Sequence, residues 1–264
     1  MTKTILVTGS TDGIGLLTAQ LLTERGHEVL LHGRSEDKLA TAAERVGGRS
    51  KIFAADLSRM AEVEALASAV LAEHEQIDVL INNAGVFHTP QTRTAEGHDV
   101  RFVVNTLAAY RLTRLLLPAI PRDGRVINLS SAAQAPVNVE ALAGRAPLDD
   151  MAAYAQSKLA LTIWSREFAK ELPDGPAVLA VNPGSLLASK MVKEGFGVAG
   201  NDLRIGADIL CRAALDDAFA SASGKYFDND SGRFSEPNAA ALNPSHSASV
   251  VAGIDAALSD LSKA

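Results

Sequence analysis

Two side chains four positions apart, Tyr154 and Lys158, have the types and the spacing for proton transfer. They lie in a segment whose apolar residues recur at helical spacing, so both belong to one face of a helix. An ammonium beside a phenol favours the phenolate and lowers the tyrosine pKa from its ordinary value of about 10. The pair therefore suits general acid-base catalysis near neutral pH. The other interpretation is an ordinary surface pair on an amphipathic helix.

A glycine-rich segment near the N-terminus has the composition of a phosphate-binding loop. The segment Thr8-Gly9-Ser10-Thr11-Asp12-Gly13-Ile14-Gly15 follows a short apolar run and leads directly into a helical pattern. Glycines let the backbone turn tightly and approach a pyrophosphate, and a helix N-terminus offers it unpaired N–H groups. The spacing differs from the commonest dinucleotide fingerprint, so a plain tight turn is the alternative. The candidate cofactor-binding residues of this loop are Gly9, Thr11, Asp12, Gly13, Ile14 and Gly15.

The elements that must position these residues alternate along the chain. Helical patterns, two of which we expect Ser35 and Ser58 to open, separate short apolar runs. Runs that are apolar at consecutive positions indicate strands covered on both faces, and strict alternation indicates right-handed crossovers. We therefore expect an α/β fold with a doubly wound parallel sheet (Rossmann-like), a single domain over residues 1–264 and a ligand at the carboxyl ends of the strands. The predicted strands are 4–8, 28–32, 51–55, 77–82, 125–130, 177–182 and 225–228.

With these motifs the chain resembles the short-chain dehydrogenase/reductase family over essentially its whole length. Four further matches fall in the family's order, each at a predicted strand end or on the helix beside it. They are Asn82-Asn83-Ala84-Gly85, Asn105, Ser130-Ser131 and Asn182-Pro183-Gly184.

The resemblance implies roles for these residues. Tyr154 would be the general acid in carbonyl reduction or the base in alcohol oxidation, and Lys158 would hold the nicotinamide ribose and lower the tyrosine pKa. Ser131 would bind the substrate oxygen, and Asn105 would anchor a water in a proton relay. The cofactor would supply the hydride. The further cofactor-binding residues implied are Asp56, Leu57, Asn83, Ala84, Gly85, Pro183 and Gly184, together with Tyr154 and Lys158.

Cofactor choice depends on the end of the second predicted strand. Relatives that prefer NAD usually carry an acid there, whereas this chain has Gly33 followed by Arg34. An arginine suits a 2′-phosphate, so NADP(H) is favoured. Asp12 stands where some NADP-preferring relatives have a basic residue and would oppose the phosphate, so NAD(H) remains possible.

The chain departs from the common family pattern at two places that border the substrate. Tyr154 follows Ser131 by 23 positions, a long spacing similar to that of the retinol-dehydrogenase-like branch. Where the family commonly has a threonine after Pro183-Gly184, this chain has Ala188, and Ser185 or Ser189 is the candidate replacement. We expect residues 132–153 and 185–201 to form the substrate pocket. Residues 186–198 would be either an apolar lid or a packed amphipathic helix.

Composition excludes several other classes. The 264 residues carry a net charge of −6 without a basic run, which argues against nucleic-acid binding. A lone cysteine and scattered histidines predict neither a disulfide nor a metal site. No apolar run reaches the ~18 residues of a membrane span, so we expect a cytoplasmic protein. By resemblance it would be a homodimer or homotetramer, joined through helices near 100–119 and 152–172.

The leading function is an NADP(H)-linked oxidoreductase acting on a small-molecule carbonyl or alcohol substrate. A nucleotide-sugar epimerase or dehydratase also uses Tyr-x-x-x-Lys, but it generally adds a C-terminal domain that the short remainder after Pro183 does not provide. The alternative from another class is a catalytically weak dinucleotide-binding regulator or scaffold of the same fold. Such proteins tend to lose the tyrosine or the lysine, and this chain has both.

Overall fold

The centre of the molecule is a sheet of eight strands. The computed structural model describes residues 1–188 and 200–261. The strand order is β3-β2-β1-β4-β5-β6-β7-β8, and all neighbours are parallel except β7 and β8. The order reverses between β1 and β4, which makes this the doubly wound sheet that the sequence predicts. The strands are β1 (Thr4–Val7), β2 (Glu28–Gly33), β3 (Ser50–Ala54), β4 (Val79–Asn82), β5 (Arg125–Leu129), β6 (Ala177–Asn182), β7 (Tyr226–Asp228) and β8 (Arg233–Ser235).

Helices cover both faces of this sheet. Within the two described ranges, none of them is long and apolar enough to cross a membrane. A π-helical turn, Val103–Leu107, joins two of them. The helices are α1 (Gly13–Glu24), α2 (Glu36–Val46), α3 (Met60–Glu73), α4 (Val100–Phe102), α5 (Ala108–Leu116), α6 (Val139–Leu142), α7 (Asp150–Glu171), α8 (Leu203–Leu215), α9 (Asp217–Ala220) and α10 (Pro244–Leu261).

Two apolar cores, one on each side of the sheet, hold the layers together. One core joins the sheet to α3, α5, α7 and α10, and the other joins it to α1, α2 and α8. Strands such as β1 and β6 contribute consecutive side chains to alternate faces, which explains their uninterrupted apolar sequence. The cores leave the carboxyl ends of β1, β2, β4, β5 and β6 free to carry polar groups.

Two local predictions need correction. Strand β8 was missed because it lies in a polar segment, where Phe234 provides its apolar contact by packing 5.1 Å from the ring of Phe227. Ser58 does not cap α3, because its backbone N–H and its hydroxyl both donate to Asp56 Oδ1. Ser35 does cap α2, by accepting from the Lys38 N–H.

The apolar residues that suggested an oligomer surface are mostly buried inside the single chain. Helix α10 packs against α7, and the Tyr110 hydroxyl donates to Asp255 of α10 at 3.1 Å. The homo-oligomer stays a prediction, but these side chains do not offer an exposed surface for it. The fully covered ones are Leu107, Leu112, Leu116, Leu159, Leu161, Ile163, Trp164 and Phe168.

Candidate active site

A cleft of about 1680 Å³ opens at the carboxyl ends of the parallel strands. Every residue that the sequence analysis assigned to catalysis or to the cofactor lines this cleft, with the exception of Asn105. Within the described ranges, no cluster of three or more histidine, cysteine, aspartate or glutamate side chains is placed to hold a metal ion. The lining thus brings together residues from position 9 to position 187 of the sequence.

The glycine loop leaves no room for a side chain at Gly9 or Gly15, where the backbone packs against the residues that follow β4. Gly9 has a φ of +65°, and a Cβ there would lie 2.9 Å from the Ala84 Cα atom. A Cβ at Gly15 would lie 2.5 Å from Asn83 Nδ2, which itself donates to the carbonyl oxygens of Thr8 and Gly9 at 2.8 and 3.0 Å. A Cβ at Gly13 would meet open space on the cleft side. The loop residues therefore fit a pyrophosphate at the N-terminus of α1.

His32 supports the glycine loop from the adjacent strand β2, a role that was not predicted from the sequence. It is buried at 2% exposure on β2, and its Nδ1 accepts from the Gly9 N–H at 3.1 Å. Its Nε2 therefore carries the proton and donates to the carbonyl oxygen of Ala55 at 3.1 Å. Burial lowers the pKa of His32 to about 4, so the ring is neutral. A histidine within an otherwise apolar strand was the available signal.

Two unpaired cations lie at the end of β2. Arg34 and Lys38 line the cleft, and among the described residues neither makes an ion pair with a carboxylate. At Gly33, the last residue of β2, a Cβ would lie 2.5 Å from Thr11 Cγ2, so a side chain there would require Thr11 to move. Asp12 also lines the cleft and brings one negative charge. Lys38, in the first turn of α2, was not predicted from the sequence.

The loop after β3 adds Asp56 and Leu57 to the same region. Asp56 orders this loop by accepting from both the backbone and the hydroxyl of Ser58. Arg59 also lines the cleft, but it is paired with Glu62 at 3.0 Å and is therefore less available to an anion than Arg34. The positive charge free for a ligand is concentrated where β2 joins α2, at Arg34 and Lys38.

Tyr154 and Ser131 form the reactive face of the cleft. Burial raises the pKa of the Tyr154 phenol, and a hydrogen bond with the Ser131 side chain partly offsets this by lowering it. The neighbouring serine cannot take this place, because the Ser130 hydroxyl is buried against Thr162 Oγ1 at 2.7 Å. A substrate oxygen placed between the phenol and the Ser131 hydroxyl would meet two hydrogen-bonding groups.

Lys158 does not act on Tyr154 in the way the spacing predicts. Its ammonium donates to the carbonyl oxygen of Leu129 at 2.7 Å and lies 5.7 Å from the centre of the Tyr154 ring. Burial lowers the pKa of Lys158 to about 8. The sequence predicts a lowered pKa for the phenol, and the structure gives the opposite direction because burial is the largest contribution and the Ser131 hydrogen bond offsets it only in part.

Asn105 lies behind the cleft and ties its two walls together. It occupies the π-helical turn between α4 and α5, an irregularity that is frequent at functional sites. Its side chain accepts from the Val86 N–H at 2.7 Å and donates to the Val86 carbonyl and the Ser157 hydroxyl at 3.0 and 2.9 Å. Asn105 thereby fixes the start of the loop after β4 against the helix of Tyr154.

The segments around the reactive face contribute unequally. Of residues 132–153, only Ala132 and Ala133 line the cleft, whereas α6 packs on α10. Ser185 lines the cleft and donates its hydroxyl to Asp230 at 2.6 Å, and Ser189 and most of the expected lid lie outside the described residues. The sequence analysis missed the loop after β4, from Val86 to Glu96, which forms much of the remaining wall.

Comparison with known proteins agrees with this geometry. Residues 3–196 match the model of the short chain dehydrogenase family. Human retinol dehydrogenase 13 is 32% identical over 258 residues, covering 86% of this chain and 76% of the human one. Two solved structures superpose well: the Pseudomonas aeruginosa RhlG/NADP complex (TM-score 0.71, 27% identity, 87% of this chain and 95% of that one) and Brucella melitensis 3-ketoacyl-(acyl-carrier-protein) reductase complexed with NADH (0.69, 26%, 88% and 98%). The chain belongs to the short chain dehydrogenase family of NAD(P)-dependent oxidoreductases, as its motifs predict.

Proposed function

We propose that this protein is an NADP(H)-linked carbonyl reductase that interconverts a small-molecule carbonyl compound and its alcohol. The observation that carries the proposal is the hydrogen-bonded pair of Tyr154 and Ser131, which faces the same cleft as the glycine loop. The human relative is named for retinol, which is an alcohol and so carries the hydroxyl group that the proposed reaction forms or oxidises.

In reduction, the carbonyl oxygen of the substrate would accept hydrogen bonds from the Ser131 hydroxyl and the Tyr154 phenol. The cofactor supplies a hydride to the carbonyl carbon, and the phenolic proton of Tyr154 goes to the oxygen as it becomes an alcohol. The raised pKa of Tyr154 keeps the phenol protonated, which suits the direction of reduction. Lys158 would bind the nicotinamide ribose from its position against the Leu129 carbonyl.

The preference for NADP(H) rests on Arg34 and Lys38. A 2′-phosphate at the end of β2 would find the unpaired cations of Arg34 and Lys38, and these would have to outweigh the carboxylates of Asp12 and Asp56 in the same cleft. Gly33 offers no carboxylate to accept from the 2′-hydroxyl of NAD. The cytoplasmic location and the homo-oligomer stay predictions.

A screen of aldehydes, ketones and alcohols tests the proposal. Each would be incubated with NADPH, NADH, NADP or NAD, and the nicotinamide absorbance would be followed. We expect carbonyl reduction with kcat/KM higher for NADPH than for NADH. Nucleotide binding by the wild-type protein without turnover of any compound would instead support a dinucleotide-binding regulator.

A further inference from the structure

Next to the reactive face, a charged cluster unused by the proposed chemistry connects the loop after β4 to α7. His88 of this loop lines the cleft, and its Nδ1 lies 2.7 Å from Asp150 Oδ2. The other oxygen of Asp150 accepts from the Arg101 guanidinium, which also binds both oxygens of Asp99 at 2.8 and 2.6 Å. We call His88, Asp150, Arg101 and Asp99 the histidine cluster.

The histidine cluster is anchored in the interior. The Arg101 side chain is only 1% exposed, although His88 and Asp150 are 41% and 40% exposed. A half-exposed contact such as that between His88 and Asp150 usually contributes little to stability, but a buried guanidinium must keep its carboxylate partners. Asp150 is therefore held in place by Arg101, and His88 is held by Asp150.

The cluster sits one helical turn from the catalytic tyrosine. Asp150 and Tyr154 are four positions apart on α7, so they share a face and are separated by about 6 Å along the axis. Ring contacts also place His88 near Tyr154, because the Phe87 ring lies 5.1 Å from the Tyr154 ring and 4.3 Å from the His88 ring. The imidazole is thus one aromatic ring removed from the phenol.

One nitrogen of His88 remains available. Since a carboxylate accepts, Nδ1 carries the proton and donates to Asp150. In the neutral ring, Nε2 is then an acceptor, and no residue in ranges 1–188 and 200–261 binds it. Arg93, the other basic residue of this loop, is instead tied to the carbonyl oxygens of Gly97 and Gly144.

We propose that His88 is a specificity-determining residue whose Nε2 accepts a hydrogen bond from a hydroxyl group of the substrate, about one ring away from the reacting carbonyl. The inference rests on the proposed carbonyl reduction and narrows its substrate class to hydroxylated carbonyl compounds. A substrate that is hydrocarbon apart from its reacting group would offer this nitrogen no hydrogen-bond donor. Asp150 and Arg101 act through His88 as positioning residues.

The test compares two aldehydes of similar size, 4-(hydroxymethyl)benzaldehyde and 4-ethylbenzaldehyde. We expect the wild-type enzyme to prefer the hydroxyl compound in kcat/KM. His88→Phe keeps a ring but removes the acceptor, so it should reduce that preference about tenfold, as expected for the loss of one hydrogen bond. Turnover of the ethyl compound and the Kd of NADPH should stay within about twofold. Asp150→Asn should reduce the preference in the same direction.

The control variant is Gln91→Leu, which changes another cleft residue of the same loop and should leave the preference unaltered. A ratio in His88→Phe equal to that of the wild type would overturn the inference, as would an equal loss on both aldehydes. A His88-dependent preference for 4-carboxybenzaldehyde over the hydroxyl compound would overturn the choice of a hydroxyl donor. If the wild type reduces none of the three aldehydes, this inference is overturned, whereas the proposed function is overturned only if no compound of the broader screen is turned over.

Discussion

The nucleotide half of the cleft is held by neutral groups that bind backbone, whereas the substrate half is held by charged side chains that bind one another. In the nucleotide half, His32 on β2 and Asn83 at the end of β4 hold the Gly9 peptide from the two sides of β1. In the substrate half, Arg101 of α4 binds Asp150 at the start of α7, and Asp150 binds His88 of the loop after β4. Hydrogen bonds to the backbone are satisfied by only one loop geometry, while a cluster of side chains can be altered by substitution of one residue at a time. The first suits a constant cofactor, and the second suits a variable substrate.

The strongest test of this division removes chemistry from the substrate half alone. Tyr154→Phe keeps the ring that packs against Phe87 but removes the transferable proton. We expect kcat to fall by roughly 10²- to 10⁴-fold, with unchanged folding and an unchanged Kd for NADPH. Steady-state kinetics and nucleotide titration check the two halves separately. Activity near that of the wild type would remove Tyr154 from the mechanism, and a weakened Kd would show that the halves are not separable.

The same division explains what could be predicted from the sequence. The carboxyl ends of parallel strands meet at one edge, so Gly9, Arg34, Asn83 and Ser131 could be placed together from strand order alone. His88 and Asp150 are 62 positions apart on a loop and a helix start, and no periodicity relates such elements. Pairing of this kind depends on loop paths, which the hydrophobic pattern does not encode.

The direction of the pKa shift of Tyr154 also could not be predicted from the sequence. The Tyr154–Lys158 spacing gave the correct helix face but the wrong pKa direction for the phenol. That direction depends on how deeply each group is buried and on the Leu129 carbonyl that binds the lysine. Spacing fixes which residues are neighbours, whereas desolvation depends on everything packed around them.

A second test addresses the nucleotide half through His32. The native ring resists protonation down to a pKa of about 4, whereas the unfolded chain binds the proton near the ordinary value of 6.5. Between these values the unfolded state binds more protons, so stability falls as the pH is lowered from 6.5 to 4. The expected loss is about 3 kcal/mol in the free energy of unfolding, measurable by denaturant titration.

His32→Asn is the comparison for this experiment, since it cannot take up the proton. The variant should be less stable at pH 7, where the Gly9 N–H or the Ala55 carbonyl loses its partner, and should lack most of this acid-dependent loss. A profile in the variant as steep as that of the wild type would assign the acid sensitivity to other groups. Turnover with saturating NADPH should change less than the Kd of NADPH.

The third test separates contacts with the 2′-phosphate from contacts with the ribose in the nucleotide half of the cleft. Arg34→Ala should lower kcat/KM for NADPH relative to NADH by roughly tenfold to a hundredfold, since a charge-assisted bond to phosphate contributes about 1.5 to 3 kcal/mol. Lys38→Ala should act in the same direction with a smaller effect. An equal loss with both cofactors would mean that Arg34 supports the loop instead of binding the phosphate, and Asp12 would then favour a dual-specific enzyme.

Reversal of this preference requires two substitutions. Gly33→Asp adds an acceptor for the ribose 2′-hydroxyl, but its Cβ would lie 2.5 Å from the Thr11 methyl group. We therefore expect Thr11→Ser with Gly33→Asp to favour NADH more strongly than Gly33→Asp alone. Equal NADH preference in the single and double variants would show that Thr11 moves aside without cost.

The smallest expected effect concerns Lys158, which lies where the two halves meet. Its pKa of about 8 implies that the ammonium loses its proton in the unliganded enzyme within the ordinary assay range. If the charged form is the one that binds the nicotinamide ribose, the affinity for NADPH is constant below pH 8 and falls by at most about tenfold per pH unit above it. Fluorescence titration of NADPH between pH 6.5 and 9.5 measures this change in affinity.

Two variants are the controls for this pH step. Lys158→Met should bind NADPH more weakly and without the step, whereas Arg34→Ala should bind it more weakly and retain the step. A step that persists in Lys158→Met belongs to another group. A profile without a step in the wild type would mean that the neutral amine binds as well as the ammonium, and that the Leu129 carbonyl holds Lys158 in position irrespective of its charge.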